Sequence, residues 1–346
     1  MRAADNQASI AELETQVDGL REIFIEFDDI SVIKRDLRRL ITRDNKASEG
    51  EGLLLVAPSG GGKTKLIESL RDEMAERDAK EPWIIREDGN RARRLSMACT
   101  TVPEALASPA SSVKNLSENV LSVLSDGHGV VTGDRRVDFD KGIKHYAQER
   151  ETGLLVLDEG HQGLLHAEWI ATKIKDYSNM ARFSLLLSGT KDVEKLLHAK
   201  EELVRRFPVR REIRPLDIRT QRGRSDCREL LATIDDHLRE AVFGQSSGLA
   251  ATRLVPRIWF AGMGVIGQMA TLIQQAAMLA VYDMVEGNGR GITDAHLGRA
   301  YDAWPFGRGR PNPFRRDAGP FQAVLPVPSK DGLGGRRAAR DRNFRS

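Results

Sequence analysis

A glycine-rich segment near the start of the chain combines residue types that bind phosphate. Residues 57–64 read APSGGGKT, with an alanine where the usual phosphate loop begins with glycine. Glycines let the backbone wrap closely around an anion and present its N–H groups to it. The lysine would reach the β- and γ-phosphates of a nucleotide, and the threonine hydroxyl would ligate Mg²⁺. The predicted contacts are Pro58, Ser59, Gly60, Gly61, Gly62, Lys63 and Thr64.

A second segment supplies the acidic groups that nucleotide hydrolysis needs. Residues 154–159 read LLVLDE, an apolar run that ends in two carboxylates. In phosphate-loop nucleoside triphosphatases an aspartate at this place helps to hold Mg²⁺. Asp158 is therefore a predicted metal ligand beside Thr64. Glu159 would polarise a water for attack on the γ-phosphate, which is a general-base role. The two segments together predict a site for ATP and Mg²⁺.

Alternating strands and helices must position these segments. Short apolar runs predict strands at 53–57, 82–87, 153–158 and 183–190, with helical patterns between them and a loop at 88–112. Such alternation is typical of an α/β fold whose parallel sheet is covered on both faces, a three-layer αβα sandwich. Beyond about residue 215 only helical patterns appear. The predicted organisation is a helical segment at 1–45, a nucleotide-binding core at 46–217, a small all-α lid domain at 218–306 and a tail at 307–346.

Charge is distributed unevenly, although the 346 residues carry a formal net charge of only +3. The tail at 307–346 has ten basic and three acidic residues, which leaves residues 1–306 with a net charge of −4. Because this tail is rich in glycine and proline, we expect it to be mostly disordered. A basic arm of this kind is either a contact for nucleic acid or a solubilising terminus.

Three features bear on the cellular compartment. The stretch 258–282 is uncharged and long enough to cross a membrane, but Gln268, Thr271 and Gln275 recur at helical spacing and predict an amphipathic helix without a membrane partner. Cys99 and Cys227 are too few for a disulfide framework and fit a reducing cytosol. The polar, acidic start of the chain does not resemble a signal peptide. We therefore expect a cytoplasmic protein.

The motifs and their order resemble those of AAA+ ATPases, and more narrowly of the bacterial TniB/TnsC-type transposition ATPases. The resemblance covers roughly residues 20–315 and includes APSGGGKT, LLVLDEGHQ, SNMARFSLLLSGT and EELVRRFPVRREIRPLD in this order. It implies that Arg206, with Arg205 as the alternative, is an arginine finger for the nucleotide of a neighbouring subunit. It also implies a polar sensor at the end of the strand that follows the acidic segment, for which Thr190 is preferred to Ser188.

The resemblance further implies the partners. Such a protein regulates DNA transposition: it oligomerises with itself on double-stranded DNA as a ring or filament in the ATP state, selects a target and recruits a transposase. A target-selector protein is an additional partner of this kind, and ATP hydrolysis drives disassembly. Arg91, Arg93 and Arg94 are the candidate DNA contacts, since sequence-independent binding needs side chains that neutralise phosphates. The alternative for this cluster is an ordinary solvated loop.

Three further residues and two other functions stay open at this level. His161 is expected to position or switch Glu159 rather than to act as the base. The lid's sensor arginine has no clear match, and Arg253 and Arg257 are the candidates. Another AAA+ role, such as a replication initiator, helicase loader or secretion-associated ATPase, is the main alternative function. A phosphate-loop kinase is a more distant one, because it would need no finger between subunits.

Overall fold

The computed structural model describes residues 2–42, 51–86, 89–127, 138–180, 183–304 and 310–315. Its strands are β1 (Gly52–Val56), β2 (Trp83–Ile85), β3 (Arg91–Arg93), β4 (Met97–Thr101), β5 (Leu154–Asp158), β6 (Ser184–Gly189) and β7 (Val209–Glu212). Its helices are α1 (Arg2–Asp18), α2 (Asp28–Thr42), α3 (Lys63–Lys80), α4 (Pro109–Ser125), α5 (Phe139–Glu149), α6 (Ala167–Met180), α7 (Val193–His198), α8 (Glu201–Arg206), α9 (Gln221–Leu238), α10 (Val255–Gly262), α11 (Ile266–Val285) and α12 (Asp294–Ala303).

Five parallel strands form the central sheet in the order β4-β5-β6-β1-β7. The strands β1, β5 and β6 are buried along their whole length, as expected for a sheet that is covered on both faces. This arrangement confirms the predicted α/β fold with a parallel sheet, and no strand follows β7 in the described part of the chain. Since β6 lies between β1 and β5, the ends of all three strands meet at one edge.

The edges of the sheet differ from the prediction. The segment predicted as a strand at 82–87 does not join the sheet, because β2 pairs antiparallel with β3 in a separate hairpin. The strand that does lie beside β5 is β4, in the stretch predicted to be a loop. The other edge strand, β7, was not predicted. Both edge strands are partly exposed and read MACTT and VRRE, so neither carries the continuous apolar run that marks a central strand.

Helices cover the sheet on both faces. On one face, Leu155 and Leu187 belong to a core cluster with buried residues of α4 to α8, such as Leu121 and Ile174. Strand residues alternate between faces, so Leu53 and its neighbours at i+2 point the other way and are also buried. On that side the hydroxyl of Ser184 in β6 donates to the carbonyl of Leu40 in α2.

A charged network joins α2 to α3, the helix that follows the phosphate loop. Lys34 is almost fully buried and donates to Glu26 at 2.9 Å and to the Ser69 hydroxyl at 3.1 Å. Arg38 forms two hydrogen bonds of 2.7 Å with the Glu73 carboxylate and holds the pKa of that carboxyl below its usual range. Paired contacts of this geometry fix orientation as well as adding energy. The network therefore fixes the orientation of α2 relative to α3.

The chain divides into two compact units that differ from the predicted domains. One comprises Gly19–Asp226 and Val265–Ala270; the other comprises Met1–Asp18, Cys227–Gly264 and Thr271–Ser346. The predicted segment 1–45 is thus shared between them. In the second, helical unit, Gln274 of α11 donates to Asp18 at 2.6 Å and Tyr282 donates to Glu14 at 2.6 Å. These bonds attach α1 to α11, which explains why α1 belongs to this unit.

Three further predictions concern the tail, the uncharged helical stretch and the cysteines. Apart from residues 310–315, the tail at 307–346 lies outside the described residues. Within the described ranges no single helix has the length and apolarity of a membrane span, although α10 and α11, bent by 111°, meet that criterion as a pair. Cys227 is buried, and burial raises the pKa of the Cys99 thiol to about 12. The Cys99 thiol is therefore neutral at ordinary pH.

Candidate nucleotide-binding site

The phosphate loop connects β1 to α3 in a conformation that requires glycine. The loop begins where the Ala57 amide donates to the carbonyl of Gly189 in β6, at 3.1 Å. Gly60 and Gly62 have positive φ angles of 74° and 93°, which side chains disfavour. α3 starts at Lys63 directly after the second of these, so its free N–H groups and positive dipole end face the loop. This is the strand–loop–helix context that the predicted phosphate site needs.

The acidic residues lie at the same edge of the sheet. Asp158 ends β5 as a buried residue, and its Oδ1 accepts the backbone N–H of Glu159 at 2.8 Å. The Glu159 Oε1 lies 3.8 Å from the Nζ of Lys63, which is itself almost fully buried. The structure therefore brings together Lys63, Asp158 and Glu159, three residues that are up to 96 positions apart in the chain.

Strand β6 contributes a polar residue between the loop and the carboxylates. The fully buried Ser188 donates its hydroxyl proton to the Oδ1 of Asp158. Thr190, the preferred sensor, lies one residue beyond β6 and is half-buried. Its role stays a prediction, while the observed contact belongs to Ser188. The spacing alone did not separate the two, because both follow the same apolar run within three residues.

Glu159 has an unusual backbone and a histidine neighbour. Its φ angle of 54° is in the left-handed region, where a residue with a side chain is strained. His161 follows in the 3₁₀ turn Gly160–His166, with Nε2 at 3.4 Å from Glu159 Oε2. The other ring nitrogen of His161, Nδ1, is buried and has no hydrogen-bond partner among the described residues. The geometry thus places His161 where it can orient Glu159.

These groups fit a nucleotide with Mg²⁺. Lys63 is a buried ammonium that needs anionic partners, and a buried charge with incomplete pairing is costly. The Thr64 hydroxyl and the Asp158 carboxylate are hard oxygen donors of the type that Mg²⁺ prefers. When bound, Mg²⁺ would neutralise charge on the phosphates. Thr64 is exposed at the start of α3, so its hydroxyl is accessible to a ligand.

Comparison with known proteins identifies the core. A family model described as AAA domain matches residues 46–197, which contain the phosphate loop and both carboxylates. Residues 46–197 are therefore similar in sequence to AAA domains. No curated protein sequence matches the chain. The Orc1 protein of Aeropyrum pernix, solved in complex with DNA, has a TM-score of 0.52 and 13% identity, over 84% of this chain and 68% of that chain.

A second solved structure is Cdc6p of Pyrobaculum aerophilum, with a TM-score of 0.49 and 13% identity. That match covers 78% of this chain and 65% of Cdc6p, so this chain spans about two thirds of the length of both solved proteins. The likeness to Orc1 shows an AAA+ fold, with a helical region after the AAA domain. The narrower TniB/TnsC resemblance is not confirmed by these matches.

A glycine from outside the AAA domain contacts the phosphate loop. The N–H of Gly267, in the first turn of α11, donates to the carbonyl of Gly60 at 2.9 Å. A Cβ atom at position 267 would lie 2.6 Å from that carbonyl oxygen, a distance that real side chains do not tolerate. This contact was not predicted from the sequence. Its only signal was the glycine in the uncharged helix, which also occurs in many unrelated helices.

The two candidate finger arginines end α8. Arg206 donates to the side-chain oxygen of Asn179 in α6 at 2.7 Å. Arg205 is more exposed and pairs with Glu201, one turn earlier, at 3.2 Å. Both lie in the same compact unit as the AAA domain, and their action on a neighbouring subunit stays a prediction. The lid candidates differ: Arg253 pairs with Asp294, and Arg257 donates to the carbonyl of Pro313.

The predicted DNA-binding cluster is divided by the hairpin. Arg91 and Arg93 lie on β3 with exposed side chains. Arg94 instead pairs with Glu151 at 2.6 Å and donates to the Glu81 carbonyl at 3.2 Å. The three arginines are therefore not equivalent, since Arg94 is held by contacts within the chain.

Proposed function

We propose that this protein hydrolyses ATP and assembles head to tail on double-stranded DNA, where it regulates transposition. The observation that carries the proposal is the convergence of Lys63, Asp158 and Glu159 at the edge of the sheet beside the phosphate loop. Binding alone would not require a general base at this place. A carboxylate beside the γ-phosphate position is the group that hydrolysis needs.

The residues would divide the chemistry as follows. Lys63 and the loop N–H groups bind the phosphates, while Thr64 and Asp158 hold Mg²⁺. Ser188 holds the Asp158 carboxylate in place through its hydrogen bond. Glu159 accepts a proton from the attacking water as the bond to the γ-phosphorus forms and the β,γ-bridging oxygen leaves with the ADP. An arginine from a second subunit would stabilise the charge that develops on the transferred group.

An arginine supplied by the neighbour makes the assembly directional. Arg205 and Arg206 lie at the end of α8, and the site that one of them would complete is on the next copy. Such a head-to-tail contact is heterologous and gives rings or open helical filaments. Because each finger completes another subunit's site, ATP favours the assembled state and hydrolysis releases it.

Local basic groups support DNA as the partner. The chain without its tail has a net charge of −4, so bulk charge cannot hold a polyanion. Arg91 and Arg93 provide an exposed basic pair instead. A transposase and a target-selector protein are proposed from the sequence resemblance, as is a bacterial cytoplasmic location.

Replication initiation is the second candidate function. It is favoured by the fold likeness to the Orc1 protein, which was solved in complex with DNA. The two candidates share ATP-dependent binding of duplex DNA and differ in the next protein recruited. Stimulation of strand transfer by a transposase would support the first. Loading of a replicative helicase would support the second.

The experiment that tests the proposal measures duplex binding with and without ATP. We expect wild-type protein to bind DNA only with ATP and to form rings or filaments visible by electron microscopy. Lys63→Ala should bind neither ATP nor DNA, because it removes the ammonium that contacts the phosphates. Lys65→Ala is the matched control, since Lys65 lies on the same helix and pairs with Glu22 at 2.8 Å. Equal DNA binding by all three proteins without nucleotide would refute the ATP switch.

His161 provides a finer test of the hydrolytic site. Glutamine can place its amide nitrogen near the position of Nε2, which is 3.4 Å from Glu159, whereas asparagine can only replace Nδ1. If His161 positions Glu159, His161→Gln should retain most of the ATPase turnover. His161→Asn should lose about tenfold, less than the roughly 10²–10⁴-fold contribution of a general base, because Glu159 itself is retained. ATP affinity should stay unchanged in both. Steady-state turnover and nucleotide titration measure this, and equal turnover of the two variants would contradict the positioning role.

A further inference from the structure

The β2–β3 hairpin presents an exposed face of mixed apolar and basic character. Trp83 pairs with Arg93 across the hairpin, and Ile85 pairs with Arg91. Side chains alternate along a strand, so these four residues share one face while Ile84 and Ala92 are buried on the other. Trp83 is 58% exposed and Ile85 is 71% exposed. Two large apolar side chains on β2 therefore face solvent beside two arginines on β3.

Three arginine contacts attach the hairpin to the chain at the end of α5. Arg150 donates to the Arg93 carbonyl at 3.0 Å, and Arg86 donates to the Gln148 carbonyl at 2.7 Å. Arg94 pairs with Glu151 at 2.6 Å. The buried side of the hairpin and these bonds hold it in place without any contribution from Trp83 or Ile85. The exposed face is consequently a fixed platform rather than a loose loop.

The composition of this face favours a polyanionic partner. Of the four described residues on the face, two are arginines and none is acidic, in a chain whose residues 1–306 are net acidic. Arginine binds phosphate through its planar fork, which suits a partner with a phosphate backbone. A second exposed tryptophan, Trp169 at 57%, lies next to Glu168 and lacks such arginine neighbours on its own helix turn.

We propose that the hairpin enters a groove of duplex DNA as a two-stranded ribbon. The major groove, about 12 Å wide, admits such a ribbon. Arg91 and Arg93 contact phosphates on its walls, and Trp83 and Ile85 pack against sugars and base edges. This inference rests on the proposed DNA association. It adds that the β2–β3 hairpin is the binding element, that Trp83 and Ile85 contact the DNA, and that Arg94 does not. The contact needs no fixed base sequence, since its charged part reads only phosphates.

Duplex binding with ATP tests the ribbon directly. We expect Trp83→Ala to bind about tenfold more weakly, whereas the control Trp169→Ala binds normally. The double variant Arg91→Ala/Arg93→Ala should reduce the slope of log affinity against log salt by about 2, one unit for each phosphate contact. Arg71→Ala is its control, an exposed arginine on α3. Thermal melting and ATPase turnover without DNA should be unchanged, because the four side chains do not support the core.

Fluorescence provides an independent readout. The chain has four tryptophans, and DNA should quench the fluorescence of Trp83 alone. The quenching should therefore disappear in the Trp83→Phe variant. If wild-type protein binds duplex with ATP but these variants bind equally well, the ribbon is refuted while the proposed function stands. If wild-type protein does not bind duplex at all, the proposed function itself fails. Unchanged DNA affinity with lost stimulation by a partner protein would assign the face to that protein and overturn the ribbon.

Discussion

Glu159→Gln should lower ATPase turnover by about 10²–10⁴-fold while leaving ATP binding intact. The substitution keeps the size of the side chain but removes the carboxylate that we propose accepts the proton of the attacking water. It also removes the charge that lies 3.8 Å from Lys63 Nζ, so the lysine remains available to phosphate. Affinity for ATP should therefore stay equal or rise. Single-turnover hydrolysis and nucleotide titration measure the two quantities separately.

The same variant should remain on DNA. If hydrolysis releases the assembly, blocking it prolongs the DNA-bound state, which dissociation after dilution into ADP would reveal. Glu168→Gln is the matched control, because Glu168 is an exposed acid at the start of α6 away from the phosphate loop. Wild-type turnover by Glu159→Gln would remove the general-base assignment. Normal release despite blocked hydrolysis would remove the disassembly step.

Arg206→Ala should bind ATP normally but hydrolyse it about 10³-fold more slowly, because finger arginines contribute on this scale. The loss should appear only under conditions where the wild type assembles, since a single subunit lacks the partner's arginine. Arg205→Ala is the built-in comparison, one position earlier on the same helix end. If Arg205→Ala loses turnover and Arg206→Ala does not, the finger is Arg205.

Mixing two inactive variants tests whether the arginine acts between subunits. Arg206→Ala keeps an intact phosphate loop but supplies no finger, whereas Lys63→Ala supplies a finger but binds no ATP. In a head-to-tail assembly, some Arg206→Ala sites would face a Lys63→Ala neighbour and regain turnover. Activity of the mixture above the sum of the two proteins is the expected result. No recovery at any ratio would place the arginine's effect within its own subunit.

The sequence predicts the centre of this fold better than its edges. The strands β1, β5 and β6 carry continuous apolar runs because both of their faces are covered, so they can be recognised without neighbours. The edge strands MACTT and VRRE lack such runs, since each has one partner strand and part of its surface meets solvent. Their membership depends on pairing, which no local pattern reports.

The candidate site divides in the same way. Lys63, Asp158 and Glu159 were predictable because their residue types and spacing reflect chemistry that few other arrangements serve. The contact of Ser188 with Asp158 depends on β6 lying between β1 and β5, a strand order that the sequence does not state. The sequence does not distinguish Arg91 from Arg94, since both belong to the same basic cluster. The structure does, because Arg94 pairs with Glu151.

The bond between Gly267 and Gly60 limits how this protein can be altered. A contact between side chains can be adjusted in small steps, for example by removing one methyl group. Here backbone meets backbone, and even alanine at position 267 would place an atom 2.6 Å from the Gly60 oxygen. Directed evolution for faster or slower nucleotide exchange could therefore not adjust this backbone contact through small changes of side chain at position 267. Libraries that randomise position 267 should return glycine alone, and useful variation must come from the surrounding residues.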